Sequence, residues 1–222
     1  MNLAKKIRPF RYWLERKLWT RTNNSKELEK FKDIYYKVPM VVVGNGPSLK
    51  KTPLDNLKNI PSIGMNKINL LFPRVNWRPS IIVCQNRHVM NQNLSFFSET
   101  DIPVVMSWQA RWFVSKQFRS KFVYYLSTDK KQFSKNIIYG VDIGGTVTYA
   151  ALQFAYYMGA DPVFLIGVDH SFAYKGKPNE LVINQEEDSN HFDPNYFGKG
   201  VKWNNHALDE SERSYTRSKK AF

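Results

Sequence analysis

Val41-Val42-Val43-Gly44-Asn45-Gly46-Pro47-Ser48 decides how the rest of the chain is read. Consecutive valines with no polar alternation predict a strand buried on both faces, as in the first strand of a parallel sheet. Gly44 and Gly46 let the backbone approach a ligand closely, and the N–H groups at the start of the helix-like stretch that follows attract anions. Asn45 and Ser48 add side-chain hydrogen bonds, and Pro47 suits the first position of a helix. The same residues also make a plain strand-to-helix turn, so this stretch alone leaves a phosphate cradle and a simple turn both open.

Upstream, residues 1–22 carry Lys5, Lys6, Arg8, Arg11, Arg16, Lys17 and Arg21 against Glu15, with Phe10, Tyr12, Trp13, Leu14, Leu18 and Trp19 between them. Such a segment suits an interfacial helix on an anionic leaflet, or a helix that packs Leu14, Leu18 and Trp19 on its own domain. Ser25 is placed to cap a helix through Leu28, Phe31 and Tyr35 to Lys37, ended by Pro39. The expected organisation is a basic amphipathic helical arm over 1–38 and a nucleotide-binding domain over 39–222.

Downstream, apolar strands alternate with helices. Pro53 to Leu57 fits only a short helix, and Ile63-Gly64-Met65 reads as a strand ending in Asn66. Ile81-Ile82-Val83-Cys84 is a third strand, followed at once by Gln85-Asn86-Arg87-His88. Val104–Met106 and Phe122–Tyr125 are further strands. Val147, Ala150, Ala151, Phe154, Ala155 and Met158 share one helical face before the stop at Gly159. That helix begins at Gly144-Gly145-Thr146, a second place where N–H groups could meet an anion. Pro162–Val168 is another buried strand, ending in Asp169-His170. The expected fold is α/β: a Rossmann-like, doubly wound, mostly parallel sheet with helices on both faces and its ligand crevice at the strands' carboxyl ends.

Composition narrows the function. At 222 residues, 42% hydrophobic and 15% aromatic, the chain can bury a sizeable core. A single cysteine excludes an intramolecular disulfide and a cysteine-cluster metal site, which points to a reducing compartment. No uninterrupted apolar stretch reaches transmembrane length, so the expected location is cytoplasmic, with the chain either soluble or peripheral on the inner membrane face. The net charge of +14 calls for an acidic partner. Nucleic acid is not expected, because no recognised nucleic-acid module accompanies the charge.

Asp188 to Gly200 is too polar for a strand and too aromatic for a simple solvated loop, which predicts a lid over the crevice. His191 is the first candidate for a general base acting on an acceptor hydroxyl, with His170 and His206 as rivals. Asp169, beside His170, can orient an imidazole or hold Mg²⁺ through water. Tyr174, Tyr196 and Lys199 are the candidate donors to a leaving phosphate.

Together, Gly44-Asn45-Gly46-Pro47-Ser48, Asn66, Asn86, the Gly144–Gly159 helix and Ile166-Gly167-Val168-Asp169 resemble two related groups over roughly residues 40–222. One comprises the bacterial CMP-sugar sialyltransferases with the motility-associated flagellin glycosyltransferases. The other is the 6-hydroxymethylpterin diphosphokinase-like family. The first resemblance implies Gly44, Asn45, Gly46 and Ser48 at the nucleotide, Asn66 and Asn86 on the nucleotide-sugar and Gly145 near its phosphate. It also implies a CMP-type donor, a glycan or lipid-linked glycan acceptor and no required cofactor. The chain departs from the sialyltransferase pattern at Asp142, where an arginine is usual, at Ser171, where a tyrosine is usual, and near Asn195, where the basic histidine is usual. The second resemblance implies ATP and Mg²⁺, with Asp169 and Asp142 as ligands. A non-catalytic nucleotide-sugar-binding module is the third expectation. Because both groups continue into another strand where Glu210–Phe222 reads as a charged helix, a domain cut short at its C-terminal side is also expected.

Overall fold

The structure is a computed structural model that describes residues 13–14, 16–112, 114–170 and 176–222. Most of the charged part of the basic arm, together with Ser171 and Tyr174, therefore lies outside the described residues. In chain order the elements are α1 (Asn23–Glu29), β1 (Met40–Val43), β2 (Ser62–Met65), β3 (Ile81–Cys84), α2 (Arg87–Gln92) and α3 (Leu94–Glu99). Next come β4 (Val104–Ser107), β5 (Phe122–Tyr125), β6 (Ser127–Thr128), β7 (Val141–Asp142), α4 (Val147–Tyr157) and β8 (Val163–Ile166). The last three are β9 (Leu181–Ile183), β10 (Lys202–Asn204) and α5 (Leu208–Lys219).

Six strands form the central sheet in the order β5-β4-β3-β2-β1-β8, and every pairing in it is parallel. β1 to β4 are buried along their whole length, which is why their sequences run apolar without alternation. The chain steps outward from β1 to β5 and then returns to the other side of β1 as β8. The order thus reverses between β1 and β8, and in such sheets ligands bind where it does. The architecture is α/β and Rossmann-like. Two small pairs flank it: β6 with β7, parallel, and β9 with β10, antiparallel.

α4 crosses β1, β2 and β3, and α5 packs on α4. Gln153 in α4 is fully buried and braces β7. Its Nε2 donates to the Asp142 and Tyr149 carbonyls, and its Oε1 accepts from the Asp142 and Ser134 amides. The first helix is shorter than its apolar spacing predicts. Thr22, not Ser25, caps α1, and residues 30–37 form turns with Asp33 and Lys37 at positive φ. The reason is a competing set of bonds: the Asp33, Tyr35 and Lys37 amides donate to the carbonyls of Tyr157, Met158 and Gly159 at the end of α4. Of the arm, Trp19 is buried and donates through Nε1 to Ile138 O at 2.7 Å, while Trp13, Leu14 and Leu18 are exposed. No helix among the described residues is long and apolar enough to cross a membrane.

The tightest point of the fold is where β1 and β8 end. Gly44 N donates to Ile166 O and Gly46 N to Gly167 O, each at 2.8 Å. A Cβ on Gly44 would stand 2.1 Å from the Gly167 carbonyl oxygen, and one on Gly46 would stand 2.2 Å from Asp169 Oδ2. Backbone that is itself hydrogen-bonded cannot easily give way. Gly44→Ala is therefore expected to lower stability by roughly 1–3 kcal/mol or more, as overpacking does. Gly198→Ala, whose added carbon meets only ordinary contacts, should stay within about 0.5 kcal/mol of the parent. Urea denaturation of the two variants measures the difference.

Candidate functional site

A cavity of about 520 Å³ opens at the carboxyl ends of β1, β2, β3 and β8, walled on its far side by residues around β10 and the start of α5. Of the expected site residues, Gly44, Asn45, Gly46, Asn66, Asn86, Gly144, Gly145, Thr146, Asp169, His170, His191 and Tyr196 line it. Residues separated by up to about 150 positions in the chain thus converge because their strands end side by side. Pro47, Ser48 and Lys199 are not part of the lining, and Lys199 is exposed.

In the first glycine loop, three of the amides are bonded within the fold. The Gly44 and Gly46 amides are taken by β8 carbonyls, and Ser48 N donates to Asp169 Oδ2 at 2.8 Å. Ser48 Oγ also donates to Asp169 Oδ1. Asp169 thereby receives the second residue of the short 3₁₀ turn Pro47–Lys51, whose N-cap is Gly46, and is not hydrogen-bonded to His170 among the described residues. His170 instead meets Glu212 on α5, Nε2 to Oε1 at 3.2 Å, with its ring edge-on to Tyr215. The first glycine motif is a seam between two strands. Its ligand-facing element is Asn45.

The second glycine motif keeps its expected geometry. Gly144 and Gly145 adopt φ of 45° and 75°, Thr146 caps α4 by accepting from Thr148 N, and the first turn of α4 faces the cavity. A side chain at Gly144 would strike the Tyr149 ring. The positive end of the helix dipole therefore faces the crevice here, while the Thr148 and Tyr149 amides are taken by Thr146. Lys131, which is exposed, lines the same cavity.

Amides dominate the wall. Asn45, Asn66 and Gln85 follow β1, β2 and β3, and the side-chain carbonyl oxygens of all three are buried with no hydrogen-bond partner among the described residues. Buried acceptors of this kind are costly unless a ligand or water satisfies them. Asn86, singled out from the sequence, spends its carbonyl oxygen capping α2 through His88 N and Val89 N. Its neighbour Gln85 presents the unpaired oxygen.

His191 is the best-organised titratable group in the cavity. Its Nδ1 lies 2.7 Å from Asp188 Oδ2, and its ring stacks on Tyr196 at 3.9 Å with an interplanar angle of 2°. Phe197 meets it edge-on. Asp188 also accepts from Phe197 N at 3.0 Å and Asn190 N at 2.8 Å, which fixes the carboxylate itself. Nδ1 is thus engaged and Nε2 is left to take a proton. The surrounding segment is not a loose lid: Asp188, His191, Phe192, Asp193, Tyr196 and Phe197 are all buried. Phe192 N donates to Asn45 O, and Arg74 pairs with Asp193 at 2.8 Å, tying the segment to the sheet. His206, the third imidazole of the cavity, has its ring centroid 6.3 Å from that of His191. Burial, reinforced by His191, pushes its pKa down to about 3, so it stays neutral.

Of the two residues expected to hold Mg²⁺, Asp169 lines the cavity and Asp142 does not. Asp142 is buried, and its oxygens accept from Lys130 N at 2.7 Å and Gly144 N at 3.2 Å. Asp169 is taken by Ser48. Glu210, also in the lining, is held by Arg217 and Arg213, and the Arg217 bond keeps its carboxyl below the usual range. Among the described residues no cluster of His, Cys, Asp or Glu could hold a metal ion. Sequence reasoning missed Lys67, Gln85, Lys131 and Asp188. For Asp188 a signal was available, since Asp-x-x-His spacing puts a carboxylate within one turn of an imidazole.

A solved structure similar to this chain is that of MAf glycosyltransferase from Magnetospirillum magneticum AMB-1, with a TM-score of 0.52 and 18% identity over 89% of this chain. The chain spans about a third of that protein, 35% of its length, and the likeness is one of fold. No curated protein matches the chain. Residues 18–175, well over half of the chain, match the family described as MptE-like, 6-hydroxymethylpterin diphosphokinase MptE-like, and the chain belongs to that family.

Proposed function

We propose that this chain is a glycosyltransferase that moves a sugar, an acidic one, from a CMP-activated donor to the hydroxyl of a surface glycan, without a metal. The observation that carries this is the Asp188–His191 pair in an amide-lined cavity. A carboxylate on Nδ1 leaves Nε2 as the base. In the reaction, Nε2 takes the acceptor's hydroxyl proton while that oxygen bonds to the anomeric carbon. The bond from the anomeric carbon to the nucleotide phosphate breaks, and the phosphate leaves with the electron pair. The first turn of α4 and Lys131 stand where that charge can be met. Asn45, Asn66 and Gln85 offer acceptors to the donor's hydroxyl and amino groups. The fold shared with a glycosyltransferase and the family membership both support a transferase.

The alternative, a diphosphokinase, would have Asp169 and Asp142 share a Mg²⁺ at the cavity, whereas Asp142 is buried outside its lining. The basic arm with its exposed Trp13, Leu14 and Leu18 is the part we assign to an anionic membrane surface, consistent with a peripheral enzyme on the cytoplasmic face.

CMP is expected to raise the melting temperature equally with and without Mg²⁺, and more than ATP does, because a ligand of the native state adds apparent stability. A gain that needs both ATP and Mg²⁺ would overturn this assignment in favour of the diphosphokinase. His191→Gln should cut transfer by about 10²–10⁴-fold, the usual worth of a general base, while CMP binding is retained. Unchanged turnover would remove His191 from the reaction.

A pH dependence follows from His206. Unfolded, its imidazole takes a proton near 6.5; folded, it takes none until about 3. The unfolded chain thus binds more protons in between, and stability falls as the pH drops from about 6.5 toward 3. Urea midpoints across that range should show a shallower fall in His206→Gln than in the parent.

A further inference from the structure

Lys67 directly follows Asn66 at the end of β2, yet it is only 7% exposed and does not line the cavity. Burying an ammonium is costly, and apolar replacements of buried ions are often at least as stable, so volume alone does not explain a lysine here. Its partners are informative. Nζ donates to the Tyr196 carbonyl at 2.5 Å and lies over the Tyr196 and Phe197 rings, 5.5 and 5.1 Å from their centroids. It also shares an electrostatic contact with Asp188. Each of these three residues is a direct partner of the His191 imidazole: Tyr196 by stacking, Phe197 by its ring edge, Asp188 through Nδ1.

We propose that Lys67 is a positioning residue for His191, holding Tyr196 and Phe197 against the imidazole, so that the Nδ1-protonated tautomer is kept. This rests on the reading of His191 as the base. The mechanism is one of position. The Nζ bond to the Tyr196 carbonyl and the contacts with both rings fix the side chains that clamp the imidazole, so that its Nδ1 stays on the Asp188 carboxylate. The titratable groups around His191 are Asp188 and Tyr196 on its own segment, Lys67 after β2 and His206 after β10, with His170 after β8 acting on His206. Burial lowers the Lys67 pKa to about 8, partly offset by Asp188, so its ammonium form predominates at neutral pH.

The test is ¹⁵N NMR of the histidine side chains in the full chain, which needs no turnover. At pH 7.5 the parent should show His191 as one Nδ1–H tautomer. In Lys67→Met the His191 ring signals should shift toward the Nε2–H tautomer, as the Tyr196 and Phe197 rings lose the contact that holds them against the imidazole. An unchanged tautomer in a folded Lys67→Met chain overturns the proposal. Should that variant not fold, the parent decides: the His191 ring signals should shift again as the pH passes through about 8, where Lys67 loses its proton. Their staying fixed through that range overturns it equally. In transfer assays Lys67→Met should lower kcat with KM little changed, since Lys67 does not reach the cavity. If His191→Gln retains full activity, the base assignment fails, while the tautomer measurement still decides whether Lys67 orients the ring.

Discussion

Two backbone hydrogen bonds, from Gly44 and Gly46 to the carbonyls of Ile166 and Gly167, set where everything else at the crevice stands. They weld the ends of β1 and β8 at the point where the strand order reverses, which in an open parallel sheet is otherwise a gap. The bonds need two bare Cα atoms on the β1 side, because any side carbon there would overlap β8 backbone or the Asp169 carboxylate. Asp169 then locks the turn after β1 through Ser48. With this seam closed, Asn45 is the residue of the loop directed to the ligand side, and its carbonyl receives Phe192 N. The seam thereby also seats the segment that carries His191.

That segment shows how a stretch with little regular structure becomes rigid. Its polar groups are not solvated but consumed: Asp188 accepts from Phe197 N, Asn190 N and His191, Asp193 accepts from Arg74 and Asn195 N, and Lys67 closes the segment from beneath. Buried ionic groups are weak contributors to stability, yet each is expensive to orphan. The set therefore holds one arrangement of the segment, and with it one orientation of the His191 ring, against alternatives.

The central sheet was legible because its signal is local. Val41–Val43 and Ile81–Cys84 are apolar on both faces for as long as the strands last, and Gly159 stops α4 where the spacing says it should. β6, β7, β9 and β10 were not legible. At two or three residues each they carry no period, and they exist only because a partner strand lies beside them. The helix expected to reach Lys37 misled for a related reason: the apolar spacing of Leu28, Phe31 and Tyr35 also suits a run of turns whose amides bond to α4. At the cavity, strand-end amides could be read directly from the order of motifs. Asp169 could not, since its partner Ser48 is 121 residues away and its neighbour His170 looked nearer. Lys67 was invisible because a lysine is assigned to the surface by default.

Charge placement separates the cavity from the rest of the molecule. The chain carries a net +14, but the cavity lining contributes Lys131 against Asp129, Asp169 and Glu210, with amides and a neutral His206 making up much of the remainder. A site built to hold a triphosphate by charge would concentrate cations, as phosphate-binding sites do. This one offers hydrogen-bond acceptors at three strand ends and a single cation among its lining residues. Groups left unpaired in such a wall are penalised more than missing apolar contacts, so the wall can discriminate ligands by their pattern of donors. The surplus positive charge therefore lies outside the cavity.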